Sequence, residues 1–312
     1  MHQAIMRAEA FCERIGIQNP ILLAPMSGAS APSLSIAVAN AGGLGSCGAL
    51  LMKPEEILAW SKEVRSNSNG AFQLNVWIPD PAPDRDEAQE AKLREFLAAW
   101  GPKVPKEAGD VVPPDFESQL DAMLEAAPPI ISSIMGLYPS HFVDEMKKRR
   151  ILWFANISTV KEAKEAEAAG ADVIVAQGSE SGGHRGSFSA KDAIARQVGL
   201  FSLLPAVVDA VKLPVVATGG IADARGVAAA LMLGASAAQI GTGFLRCPEA
   251  KIPMAWADAL GRAAPEDTMI STVFSGRAGR SLATDYVRCD RAFRASTCAL
   301  SRSARTHYPY AE

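Results

Sequence analysis

Paired cysteines, long apolar runs, a strong net charge and abundant aromatics are all missing from this 312-residue chain, and each absence removes a class of protein. Its five cysteines, Cys12, Cys47, Cys247, Cys289 and Cys298, are odd in number and scattered, with no C-x-x-C pair. That argues against a disulfide framework and against a zinc site, and makes the reducing cytoplasm the expected compartment. No stretch approaches the roughly 18 consecutive apolar residues of a membrane span, and residues 1–14 are charged, without an apolar core segment. Neither a membrane anchor nor a secretory leader is expected. A formal charge of −3 gives no reason to expect a nucleic-acid or anionic-membrane partner. Aromatics make up 6% of a chain that is 48% hydrophobic, so the core must be built from Ala, Val, Ile and Leu. Such a core suits buried parallel strands flanked by small-residue helices. The four histidines are His2, His141, His184 and His307; two are terminal, and His141 begins a predicted outer helix.

What is present is a repeated alternation. Short apolar runs at 21–24, 44–46, 72–77, 129–134, 151–155, 173–176, 215–218 and 237–240 read as strands. Helical segments are predicted at 32–41, 55–64, 140–148, 159–169, 200–211 and 224–233, with Ser30 capping the first and Gly170 and Gly234 as stop signals. Eight strands, each followed by a helix where one can be read, predict an α/β fold: a (β/α)8 TIM barrel over residues 15–78 and 128–250. After the third strand the alternation lapses. Helical segments at 85–100 and 116–126 flank a loop, 101–114, with four prolines. This insertion, 79–127, and a C-terminal extension, 251–287, are expected to form a smaller helical region shaping access to the site. From 288 to 312 the chain is rich in Arg and Ser, has no period, and is expected to be an irregular tail.

The chemistry concentrates where predicted strands end. Val173-Ile174-Val175-Ala176 runs into Gln177-Gly178-Ser179-Glu180-Ser181-Gly182-Gly183-His184-Arg185-Gly186, with four glycines in its last nine residues. Glycine lets the backbone approach a flat or bulky ligand, and a histidine there is placed for proton transfer. A turn with a solvated histidine is the plainer reading of this loop taken alone. Glu180 and Arg185 are expected to pair or cap within it. Gly219-Gly220 and Gly241-Thr242 follow the seventh and eighth strands, where TIM barrels commonly hold a phosphate on main-chain N–H groups.

Together with Asn19-Pro20-Ile21-Leu22-Leu23-Ala24-Pro25-Met26-Ser27-Gly28, these stretches resemble the nitronate monooxygenase family, formerly the 2-nitropropane dioxygenases, FMN enzymes on a TIM barrel. The likeness runs from about residue 15 to Ser275-Gly276-Arg277, with a weak patch between 78 and 127. It implies FMN held by the backbone of Ala24, Pro25 and Met26, by Asn75, Gln177, Gly182 and Gly183, and by Gly219, Gly220, Gly241 and Thr242 at its phosphate. It implies His184 as the base that removes the α-proton of a nitroalkane, an imidazole being suited because it titrates near working pH. The implied reaction is oxidation of an alkyl nitronate, or nitroalkane, by O2 to a carbonyl compound and nitrite. No metal is required, and a homodimer stays open. Two alternatives accompany this reading: a flavin-dependent NADH reductase of the enoyl-ACP or quinone type, whose motifs are closely similar, and a barrel that binds flavin or phosphate without turnover. Arg185 directly after His184 favours the nitronate side, whose members often read Gly-Gly-His-Arg-Gly.

Overall fold

The computed structural model describes residues 1–81 and 85–289. Their contacts divide into two compact units: Met1–Pro79 with Pro114–Gly261, and Asp80–Pro113 with the described part of Arg262–Glu312.

The first unit is a (β/α)8 barrel. Among the described residues its strands are β1 (Ile21–Leu23), β2 (Gly45–Gly48), β3 (Phe72–Trp77), β4 (Ile130–Ile134), β5 (Leu152–Ile157), β6 (Val173–Gln177), β8 (Val215–Thr218) and β9 (Ala237–Ile240), with Gly183–His184 a two-residue β7 outside the ring. All eight ring strands are parallel, in the order β1-β9-β8-β6-β5-β4-β3-β2. The ring closes where Leu22 bridges Leu44: the Leu23 N–H donates to the Leu44 carbonyl at 2.8 Å, and the Leu44 N–H to the Ile21 carbonyl at 3.1 Å. Crossovers are made by α2 (Pro32–Asn40), α3 (Pro54–Asn67), α5 (Phe116–Ala126), α6 (Ser140–Lys148), α7 (Val160–Ala168), α8 (Leu200–Ala210) and α9 (Ala224–Met232), while α10 (Met254–Arg262) follows the last strand.

Strand period 2 sorts the side chains into two layers. Leu74, Val76, Trp153, Ala155, Ile157, Ile174, Ala176, Val215 and Ala217 face the helices and join the main apolar core. Their neighbours Ile130, Phe154, Val173, Val175, Val216 and Ala237 form a separate core with Leu22 and Leu44 inside the ring. This inner core is completed by Phe11, Cys12 and Ile15 of the N-terminal helix α1 (His2–Ile15). This charged segment forms a helix because Ala4, Ala8, Phe11, Cys12 and Ile15 fall on one face at helical spacing. The Phe11 ring meets Phe154 at 6.2 Å and stops the inner core at one end. Contrary to expectation, Ser30 does not cap α2: its hydroxyl donates to the Met26 carbonyl at 2.7 Å and accepts from the Gly48 N–H at 2.9 Å. Gln119 of α5 donates its amide to the carbonyls of Ala49, Leu50 and Met52, which holds the turn after β2.

The second unit contains α4 (Glu87–Ala98), capped by the Asp86 carboxylate, and the antiparallel pair β10 (Thr268–Ser271) and β11 (Gly279–Leu282). β11 had no counterpart among the predicted strands. Tyr286 packs against Phe96, Trp100 and Phe274, and buried Arg277 grips Asp80 with two N–H groups at 2.8 and 2.6 Å. The expected irregular tail lies, beyond Cys289, outside the described residues.

Candidate active site

The inward-facing positions change character along the barrel. Toward the N-terminal ends of most strands they are Leu, Ile, Val and Phe; further along the strands they are Ser132, Asn156, Gln177, Thr218 and Gln239, and β2 and β3 add Ser46, Gln73 and Asn75, all buried. A ring filled for stability alone would remain apolar throughout, since every buried amide needs partners. Several have them: Asn75 donates to the Ser132 carbonyl and hydroxyl at 3.0 and 2.9 Å, Gln73 to Gln239 at 3.2 Å, and Thr218 to the Gln239 carbonyl at 2.9 Å. Asn156 Nδ2, Gln73 Oε1 and Ser46 Oγ are buried without one. A polar layer with unmet capacity, at the end where TIM-barrel chemistry sits, is the first mark of a binding site.

The loop after β6 is fastened from below. Gln177, the last residue of that strand, donates its amide to the His184 carbonyl at 3.0 Å and accepts the Gly186 N–H at 2.7 Å, so one carboxamide holds the main chain on both sides of Arg185. Arg185 reaches back to the Gln177 carbonyl at 2.7 Å, and the Glu180 carboxylate accepts the Leu200 N–H at the start of α8, outside the loop in which it was expected to pair or cap. Beyond the loop, the buried carboxylate of Glu162 accepts from the Ser158 N–H and hydroxyl, the Ser187 hydroxyl and the Phe188 N–H, all within 3.1 Å. Thr159 is the N-cap of α7, which commits its hydroxyl to structure.

Close approaches of the chain gather the other expected residues. A Cβ on Gly182 would lie 2.5 Å from the Thr242 hydroxyl, and one on Gly219 3.1 Å from the Ser181 nitrogen. Gly219 and Gly220 both have positive φ, 111° and 68°, conformations open to glycine. Gly241 lies against Ala24 and the Met26 sulfur, and Gly48, paired in register with Asn75, abuts the backbone of Met26 and Ser27. Gly182, Gly219 and Gly220 thus bring Thr242 and the turn after β8 against the loop after β6, while Gly241 and Gly48 bring Ala24 and Met26 against the ends of β9 and β2. The Ala24 N–H is already committed to the Ile240 carbonyl at 2.8 Å. The His184 ring packs edge to face on Trp77, the last residue of β3, with centroids 4.6 Å apart. Among the described residues no group of three or more His, Cys, Asp or Glu side chains is arranged to hold a metal ion, and no helix is long and apolar enough to cross a membrane.

A family model described as nitronate monooxygenase matches residues 8–307. The chain belongs to the nitronate monooxygenase family. It is 39% identical over 278 residues to the nitronate monooxygenase of Paraburkholderia phytofirmans, covering 87% of this chain and 75% of that protein. Its fold matches the nitroalkane oxidase of Streptomyces ansochromogenes with a TM-score of 0.80 at 33% identity, over 90% of this chain and 81% of that one. FabK from Thermotoga maritima matches with a TM-score of 0.72 at 28% identity, over 91% and 77%. For a member of this family, Trp77, Asn156 and Glu162 are additions to the residues that sequence pointed to. Asn156 carried a signal, an amide directly after the apolar run 151–155, whereas Trp77, a large aromatic ending such a run, reads as core. Glu162 carried none, because a glutamate in a charged helix looks solvated.

Proposed function

We propose that the enzyme oxidises alkyl nitronates, and nitroalkanes once deprotonated, with O2 to a carbonyl compound and nitrite, using FMN and His184. The observation that carries this reading is the placement of a histidine on a glycine loop, its ring against an indole, at the polar end of a barrel. The donor chemistry fits the cofactor. Main-chain N–H groups at Gly219, Gly220 and Gly241 and the Thr242 hydroxyl would hold the phosphate, in a cradle that a Cβ at Gly182 or Gly219 would fill. Asn75, the buried Nδ2 of Asn156, and the backbone at Pro25, Met26, Gly182 and Gly183 would serve the ring, whose edge alternates donors and acceptors. Gln177, engaged at both ends of its carboxamide, supports the loop. Bound there, FMN supplies the two-electron acceptor and the route from substrate to O2.

The chain's own share is positional and protonic. With a neutral nitroalkane, His184 takes the α-proton onto an imidazole nitrogen; with a preformed nitronate, which lacks that proton, the same group binds and orients the anion. Cys12 and Cys47 are buried free thiols, and Cys247 and Cys289 are also unpaired, which supports a cytoplasmic setting.

The motifs shared with flavin-dependent NADH reductases support a reductase as the second reading, and the match to a nitroalkane oxidase, at 33% identity with a TM-score of 0.80, favours the first. An oxygen-electrode assay of purified protein with a panel of nitronates, and separately with NADH, tests the choice. O2 uptake with nitronates in the absence of NADH is expected. Uptake confined to NADH would favour the reductase, and FMN binding with neither activity would leave a binding protein.

A further inference from the structure

We infer that Trp77 is a positioning residue for the imidazole of His184. The inference rests on the assignment of His184 as the base and extends it to a side chain on another strand. In β3, Phe72, Leu74 and Val76 face the helices, so Gln73, Asn75 and Trp77 face the barrel interior, and Trp77 falls at the C-terminal mouth. It takes no part in either apolar core and is only partly buried, so packing of the interior does not account for an indole here. Its backbone is firmly held: Trp77 is in register with Ile134, the Ile78 N–H donates to the Ile134 carbonyl at 3.0 Å, and Gly136 packs against the Ile78 side chain.

His184 sits on a loop whose main chain is fixed by Gln177. The indole, 4.6 Å away at an interplanar angle of 64°, adds a constraint on the imidazole ring itself. An edge-to-face aromatic pair of this kind shifts conformer populations by about tenfold at most, and it excludes water from one side of the ring. The effect belongs to proton abstraction, so it should separate two substrates that differ only in that proton.

The test uses Trp77→Ala, Trp77→Phe and His184→Asn in the FMN-loaded protein. For Trp77→Ala, kcat/KM with a neutral nitroalkane should fall about tenfold, while that with the matching preformed nitronate changes less than about twofold. Trp77→Phe should recover most of the loss. In protein labelled at histidine, the ring-proton resonances assigned to His184 by their disappearance in His184→Asn should shift in Trp77→Ala, as the indole ring current is lost. Unmoved His184 resonances, or an equal loss on both substrates in protein that still retains FMN, would overturn the inference. If His184→Asn leaves nitroalkane turnover undiminished, the base assignment fails, and the resonance shift alone then decides whether Trp77 fixes that ring.

Discussion

Gln177 joins fold and site in one side chain: its backbone ends a barrel strand, and its carboxamide holds the loop that presents His184. Replacing it by Leu keeps the bulk and strands the Gly186 N–H and the His184 carbonyl, each in a buried or half-buried place. A loss of about 2 to 4 kcal/mol in unfolding free energy is expected, read from urea midpoints, together with a fall in nitroalkane turnover. Cys47 gives a second prediction at this scale. Burial pushes its thiol from an ordinary 9.0 up to about 12. Below 9.0 both folded and unfolded chains keep the proton and stability does not change with pH on its account. Above that value the unfolded chain releases the proton first, so stability falls as pH rises toward about 12. Cys47→Ala should flatten that part of the alkaline stability curve; an unchanged slope would assign it to other groups, such as Tyr138, whose hydroxyl burial also pushes up. His184 and the glycines were legible in the sequence because they break apolar runs at strand ends. Trp77 was not singled out, since a tryptophan ending such a run reads as core until its inward register is known.

Elements were legible in proportion to their apolar contrast. β8 and β9 stood out as short runs between Pro or Gly signals, and α6 through its periodic Phe142, Val143 and Met146. α1 did not, because its buried face uses small Ala4 and Ala8 among charges and only Phe11, Cys12 and Ile15 carry bulk. Yet this helix completes the inner core, with Phe11 only 3% exposed against Phe154. Phe11→Ala should therefore destabilise the protein by about 3 to 5 kcal/mol, measured by denaturant unfolding, although the residue is far from the His184 loop in sequence. A cost below about 1 kcal/mol would mean that α1 is an appendage. β11 escaped notice because Gly279-Arg280-Ser281-Leu282 has neither an apolar run nor a clean alternation, and only its pairing with β10 makes it a strand.

For the molecule as a whole, the barrel was readable because eight strand signals alternate with helices, and the family because its motifs fall at strand ends. The second unit was less so: its organising contact joins Asp80 and Arg277, 197 residues apart, and neither residue's surroundings suggest burial. Arg277→Ala leaves the Asp80 carboxylate buried without its guanidinium, and a local loss of about 3 to 5 kcal/mol is expected, seen as faster hydrogen exchange across β10, β11 and α4 with the barrel strands unchanged. The central claim is that this barrel carries FMN and takes electrons from a nitronate. It is tested most directly by mixing the FMN-loaded protein anaerobically with propyl nitronate, and separately with NADH, while following the visible flavin absorbance. Rapid bleaching by the nitronate, with none by NADH, is the predicted result; bleaching by NADH and none by the nitronate would contradict the account.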